Sequence, residues 1–181
     1  TRPMKQLMAP QDKQLWKDSY FILDLLKALS FSALALIINY YAVRYATAHA
    51  GPSVPDLVLD HIRPVNTHFI DYQFASYVEY ALLLFAFIRT RSIVFFLKTM
   101  SVLILVRAFF VNLTNLGVPA GTVPTTSFFT QGGDLFFSGH TAFPFMATLI
   151  FWDLVPTRYL LLALTLFMGS EVLVGHQHYS I

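Results

Sequence analysis

Residues 138–179 read SGHTAFPFMATLIFWDLVPTRYLLLALTLFMGSEVLVGHQHY. The stretch is almost wholly apolar between its two ends and is broken only at Asp153-Leu154-Val155-Pro156. It carries a histidine at each end, His140 and His178, 38 positions apart (178 − 140). At 1.5 Å per helical residue that separation is about 57 Å, or about two crossings of a roughly 30 Å hydrocarbon core. A chain that descends, turns at Val155-Pro156 and returns places both imidazoles at one membrane depth.

The remainder of the chain agrees with a membrane setting. It is 56% hydrophobic and 12% charged, about half the charge fraction of a soluble domain, and its mean hydropathy is +0.58. Five apolar runs are long enough to be spans: about Tyr20 to Tyr45, Phe69 to Ile88, Ile93 to Val111, Thr141 to Leu154 and Tyr159 to Gly175. The expected fold is an all-α transmembrane bundle covering residues 20–181, preceded by an arm or interfacial helix over 1–19. Gly51-Pro52-Ser53-Val54-Pro55 and Gly117-Val118-Pro119-Ala120-Gly121 break the chain between spans. The N-terminus has no signal-peptide pattern. No cysteine is present, which excludes disulfides, thiol nucleophiles and thiolate metal sites. The twelve Lys and Arg are dispersed, so no nucleic-acid surface is expected.

Alternating spans sort the loops onto two sides. One side collects Arg2, Lys5, Lys13, Lys17, Arg89, Arg91 and Arg158, with Lys98 nearby; the other holds Arg44, Arg63 and Arg107. The positive-inside rule assigns the first set to the cytoplasm. The loops at 51–68 and 115–138 then face out, and the second contains no Lys or Arg. Arg107, Ser138-Gly139-His140 and His178 all fall toward that outer side.

This set suits phosphoryl transfer. A phosphodiester needs its charge held, a nucleophile, and an acid for the leaving alkoxide. Arg107 offers a guanidinium fork for phosphate oxygens. Ser138 and the Gly139 N–H stand at a helix start, which favours anions. One imidazole can attack phosphorus and the other can protonate the departing oxygen.

At these positions the chain resembles the sphingomyelin synthase family of the type-2 phosphatidic acid phosphatase superfamily. Residues Gly132 to Thr141 resemble its second signature and His178-Tyr179-Ser180-Ile181 its third. Arg107 with Thr114 to Pro119 is similar to the first signature region, and Pro55-Asp56 with Asp60 to the first outer loop. The resemblance implies six spans, of which five lie in this chain, and no metal or other cofactor. It implies His178 as nucleophile and His140 as acid, then base. It also implies transfer of phosphocholine or phosphoethanolamine from a glycerophospholipid donor to ceramide or a similar lipid alcohol, releasing diacylglycerol. The family's third signature ends in an Asp that orients the nucleophile. That position falls one past Ile181, so the sequence is expected to be truncated there. The position six before the nucleophile is Val172, where the phosphatase branch has Arg, and this favours transferase chemistry. The alternatives are a lipid phosphatase, a phospholipase C-like hydrolase, or a scaffold that lost the chemistry.

Other residues carry paired readings. Asp134 caps the fourth span or binds a polar head group. Glu79 and Glu171 line a cavity under the site or make buried hydrogen bonds. Phe128, Phe129, Phe136 and Phe137 form a cage for a quaternary ammonium or an interfacial belt. His176 is ambiguous, and His49, His61 and His68 are read as ordinary.

Overall fold

The computed structural model describes residues 14–119, 122, 135 and 137–180. It is an all-α membrane bundle of five helices: α1 (Ser19–Ala48), α2 (Ala75–Ile88), α3 (Thr90–Leu113), α4 (Gly139–Ile150) and α5 (Val155–Val174). A π-helical segment, Phe69–Phe74, runs directly into α2, and a short 3-10 turn covers Leu59–His61. Helices α1, α3 and α5 are each long and apolar enough to cross a membrane. The π segment and α2 together reach the twenty residues of the expected second span. The fourth span departs from expectation: α4 ends at Ile150 rather than Leu154 and has 12 residues, or about 18 Å of rise. A turn over Phe151–Asp153 then leads into α5, where Pro156 occupies the first turn. There its missing N–H costs nothing.

Two helix pairs, α1 with α3 and α4 with α5, dominate the packing, and α2 joins them through contacts with α3 and α4. The first pair rests on a stripe of α1, Ala28, Ser32, Ala35, Asn39, Ala42 and Ala46, all buried. Its spacing of four, three, four, three and four residues keeps one helix face toward α3. Small side chains let the helix axes approach, which is how helices associate where lipid supplies no hydrophobic drive. Ser32 Oγ and Ser101 Oγ lie 2.9 Å apart across this contact.

The apolar core draws from all five helices. Ala28, Leu82, Ala86, Phe96, Leu97, Met146 and Leu161 pack as one cluster. Phe96 stands edge-on to Phe143 at 5.7 Å and stacks near Phe151 at 6.1 Å. This cluster fastens the end of the bundle opposite the histidines. Trp16 against Phe87 at 5.3 Å and Arg158 over Trp152 at 4.7 Å place aromatic and cationic anchors at that same end. Leu34, Ile37, Leu84, Phe109, Leu160 and Leu166 point outward toward hydrocarbon.

Ala35 is fully buried, so Ala35→Leu forces α1 off α3. The expected loss is about 1–3 kcal/mol, read as a lowered unfolding temperature in detergent. Leu34→Ala, on the outward face, leaves that temperature nearly unchanged.

Candidate active site

Loops far apart in sequence interlock at the other end. The Gly51 N–H bonds the Asn115 carbonyl at 2.9 Å and the Gly117 N–H bonds the Pro52 carbonyl at 3.1 Å. A Cβ on Gly117 would run into the Gly51 carbonyl oxygen and the Ser53 nitrogen, so only glycine admits this crossing. The tail after α5 is bound to the same loops. Tyr179 Oη donates to the Gly117 carbonyl at 2.6 Å and accepts from the Val54 N–H at 3.2 Å. The Tyr179 N–H bonds the Leu135 carbonyl at 3.1 Å.

Asp56 completes the clamp. Its carboxylate accepts the Ser180 N–H and the Ser180 hydroxyl, each at 2.7 Å, and the Val58 and Leu59 N–H groups at 2.9 Å. Burial opposes ionisation of this carboxyl, but the donors from Leu59, Ser180 and Val58 outweigh burial and hold it at about 2. Asp56 therefore contributes stability that is present above the ordinary carboxylate range near 3.8 and is lost as pH falls toward about 2.

The clamp fixes His178, whose Nδ1 is buried with no hydrogen-bond partner among the described residues. Burial lowers its pKa to about 4, and the positive charges of Arg107 and His140 add to the effect. The Leu135 carbonyl and Asp71 pull more weakly the other way. His178 is thus a neutral imidazole at physiological pH, near enough to Arg107 and His140 for their charge to disfavour its protonation.

Opposite it, His140 sits in the first turn of α4 and its Nδ1 lies 3.1 Å from Asp71 Oδ1. Asp71 is buried in the π-helical segment. π turns re-aim side chains that a regular helix would point elsewhere, and they recur at functional sites. The contact holds the His140 ring through Nδ1 and leaves Nε2 as the nitrogen available for proton exchange. Pro144, four residues on, has no N–H to give to the His140 carbonyl. Arg107 reaches the same place from α3. Its Nη1 donates to Asn39 Oδ1 at 2.5 Å, and its Nε lies 3.6 Å from where a Cβ on Gly139 would sit. The guanidinium therefore abuts the N-terminus of α4, which sets a cation beside a helix start, an arrangement that favours anions.

The structure brings Arg107, Gly139, His140 and His178 to one end of the bundle. Ser138 is there too, but its hydroxyl caps α4, accepting the Thr141 N–H at 3.3 Å. The cap expected of Asp134 is thereby assigned to Ser138; Asp134 lies outside the described residues, as do Phe128, Phe129 and Phe136. Phe137 packs on Val43, Ala46 and Val111. Glu171 is buried beside the Thr67 hydroxyl, and Glu79 lies in the field of Arg107 and His140. His176 takes a positive φ of 53° and its Nε2 is 3.1 Å from the Ile62 carbonyl, a turn-forming role. His49 and His61 each hold a carbonyl on their own segment, at 2.8 Å. Among the described residues no group of three His, Asp or Glu has metal-site geometry.

Sequence reasoning missed Asp71 and Asn39. Asn39 carried a signal, because polar groups inside spans are costly and generally paired; Asp71, near a span end, carried a weaker one.

Residues 131–181 match the family model described as PAP2 superfamily C-terminal. The matched segment contains α4, α5 and both histidines. That segment is thereby similar to the type-2 phosphatidic acid phosphatase superfamily. No curated protein and no solved structure matches the chain.

Two outcomes follow from the clamp and the buried ring. The unfolded chain protonates His178 near 6.5 and the folded chain near 4. Stability therefore falls as pH drops through that window, and the slope of unfolding temperature against pH is shallower in His178→Ala. Asp56→Ala leaves four donors without their acceptor and lowers stability in detergent at neutral pH by about 1–3 kcal/mol.

Proposed function

We propose that this chain is a lipid phosphotransferase of the sphingomyelin synthase type, moving a phosphocholine or phosphoethanolamine head group through a phosphohistidine. The observation that carries the reading is the unlike setting of its two histidines: one neutral ring facing cations, one ring held by a carboxylate. Titratable pairs whose surroundings differ in this way divide into nucleophile or base and acid.

In the first half-reaction a ring nitrogen of His178 attacks the donor phosphorus. The bond from phosphorus to the glycerol oxygen breaks, and His140 Nε2 gives its proton to that oxygen, releasing diacylglycerol. In the second half-reaction the acceptor hydroxyl gives its proton to His140 and attacks phosphorus. The P–N bond breaks and His178 is restored. Arg107 and the α4 N-terminus hold the equatorial oxygens in both steps, where the developing charge gains most from fixed donors. Asp71 keeps His140 in one tautomer, and Asn39 keeps the Arg107 fork from snorkelling outward. Ceramide or a similar lipid alcohol is the acceptor in this reading. The histidine end faces away from the cytoplasm, because Lys17, Arg89, Arg91 and Arg158 gather at the opposite end.

The matched superfamily also contains phosphatases, in which water replaces the lipid acceptor. Chromatography of products from labelled phosphatidylcholine, with and without ceramide, separates the two: a transferase makes a phosphosphingolipid only when ceramide is present, and a hydrolase releases free head group in both cases.

His178→Ala abolishes turnover and the acid-labile, base-stable phosphoenzyme; full activity in that variant discards the mechanism. Asp71→Asn keeps the shape but loses the carboxylate, and reduces kcat by about a hundredfold or more, with a smaller change in KM.

A further inference from the structure

A cavity of about 380 Å³ opens between α4 and α5, lined along its length by Ser138, Thr141, Phe145, Thr165 and Gly169 and closed at one end by His178. That volume is in the range of a single-ligand site. On α4 the lining residues recur at three- and four-residue intervals, so one face of the helix forms a continuous wall. Gly169 removes side-chain bulk from the facing wall on α5. A Cβ there would lie 3.4 Å from Thr141 Cγ2, so alanine fits and leucine fills the space. From Ser138 to Phe145 the groove follows α4 for about 10 Å, away from the histidine and toward the bilayer middle.

Its threonine hydroxyls already have partners within the protein. Thr165 Oγ1 donates to the Leu161 carbonyl at 2.7 Å, and Thr141 Oγ1 lies 3.1 Å from Ser138 Oγ. Both hydroxyls are engaged by their own helices, and the wall below the histidine is apolar. Phe145, at the deep end, is 47% exposed on the lipid-facing side. The groove thus has a reactive polar head and an apolar floor that leaves the protein sideways into hydrocarbon.

We infer that this groove is the binding site for one acyl chain of the lipid whose phosphate meets His178, and that the lipid enters between α4 and α5 without leaving the membrane. The inference rests on the phosphotransfer reading above and adds the location and direction of the tail. A soluble phosphoester would occupy the head of the groove alone. A diacyl lipid fills it, and each methylene buried there favours the bound state.

The test compares kcat/KM for long-chain phosphatidylcholine with that for its dibutyryl analogue, in wild type, Gly169→Ala, Gly169→Leu and Ala142→Phe, Ala142 being a further lining residue of the α4 wall. The two filled variants lower the long-chain to short-chain ratio at least about tenfold, a change that losing two buried methylenes accounts for; Gly169→Ala keeps the ratio of the wild type. An unchanged ratio in both filled variants overturns the groove while leaving the phosphotransfer reading intact. If wild type turns over neither lipid, that reading fails, and the groove is judged by binding. A phosphatidylcholine with a diazirine midway along one chain is then crosslinked to the full chain in vesicles. Adducts at Phe145 and Thr165 that disappear in Gly169→Leu support the groove; adducts confined to the outward faces of α1 and α3 reject it.

Discussion

A guanidinium or carboxylate inside a bundle of lipid-facing helices has no water to turn to, so it persists only beside another polar group. That constraint organises the outer half of this molecule. Arg107 is buried on α3, and the Asn39 side chain of α1 takes one of its donors. Asp71 is buried before α2, and the His140 ring of α4 answers it. Each pairing joins helices that are not neighbours in sequence, so the polar contacts that satisfy the constraint also draw four separate segments to one point. The meeting of the Arg107 guanidinium with the start of α4 at Gly139, beside the Asp71-held His140 ring, follows from this gathering.

The second requirement is to hold His178 on a segment that is not helical. Irregular backbone is tolerated at a membrane boundary only where other protein groups take up its polar atoms. Here the tail after α5 is satisfied by the loops at 51–62 and 115–117 and by Leu135: Asp56 takes Ser180, Gly117 takes Tyr179 Oη, and Ile62 takes His176. The Pro and Gly residues that mark these loops as breaks in the sequence are therefore the parts that press the reactive tail into place. Gly117 shows the dependence most directly, since a side chain there would separate the two loops that meet over Tyr179.

Much of this was legible. The span positions followed from apolar run lengths, and the shared depth of His140 and His178 followed from rise per residue alone. Arg107 fell on the same side by counting crossings. Other features had no sequence signal of sufficient strength. The π turns at Phe69–Phe74 carry Asp71, and no composition rule encodes where a π segment forms. Asp71 also sits near a span end, where a charge is cheap and attracts little notice. Asn39 is neutral, yet its position in the small-residue stripe of α1 marks it as facing another helix. The early end of α4 reflects packing of Phe151 against Phe85 and Phe96, a tertiary choice among otherwise uniform apolar residues. Ser138 as cap was readable, because it stands three residues before Thr141 at the first turn of the helix.

The end of α5 explains why two histidines on antiparallel helices meet as unlike partners. Were α5 to continue, His178 would stand seven residues beyond Glu171, about 10.5 Å higher on nearly the same face. The helix instead ends at Val174, and the chain reverses through Gly175 and the left-handed His176. The tail crosses toward Leu135, and His178 joins the head of the groove beside Ser138. One imidazole is thereby carried by a helix start, with a carboxylate behind it, and the other by a clamped turn, with cations before it. The difference in backbone produces the difference in electrostatic surroundings, and in the proposed phosphotransfer those surroundings assign attack to one ring and proton exchange to the other.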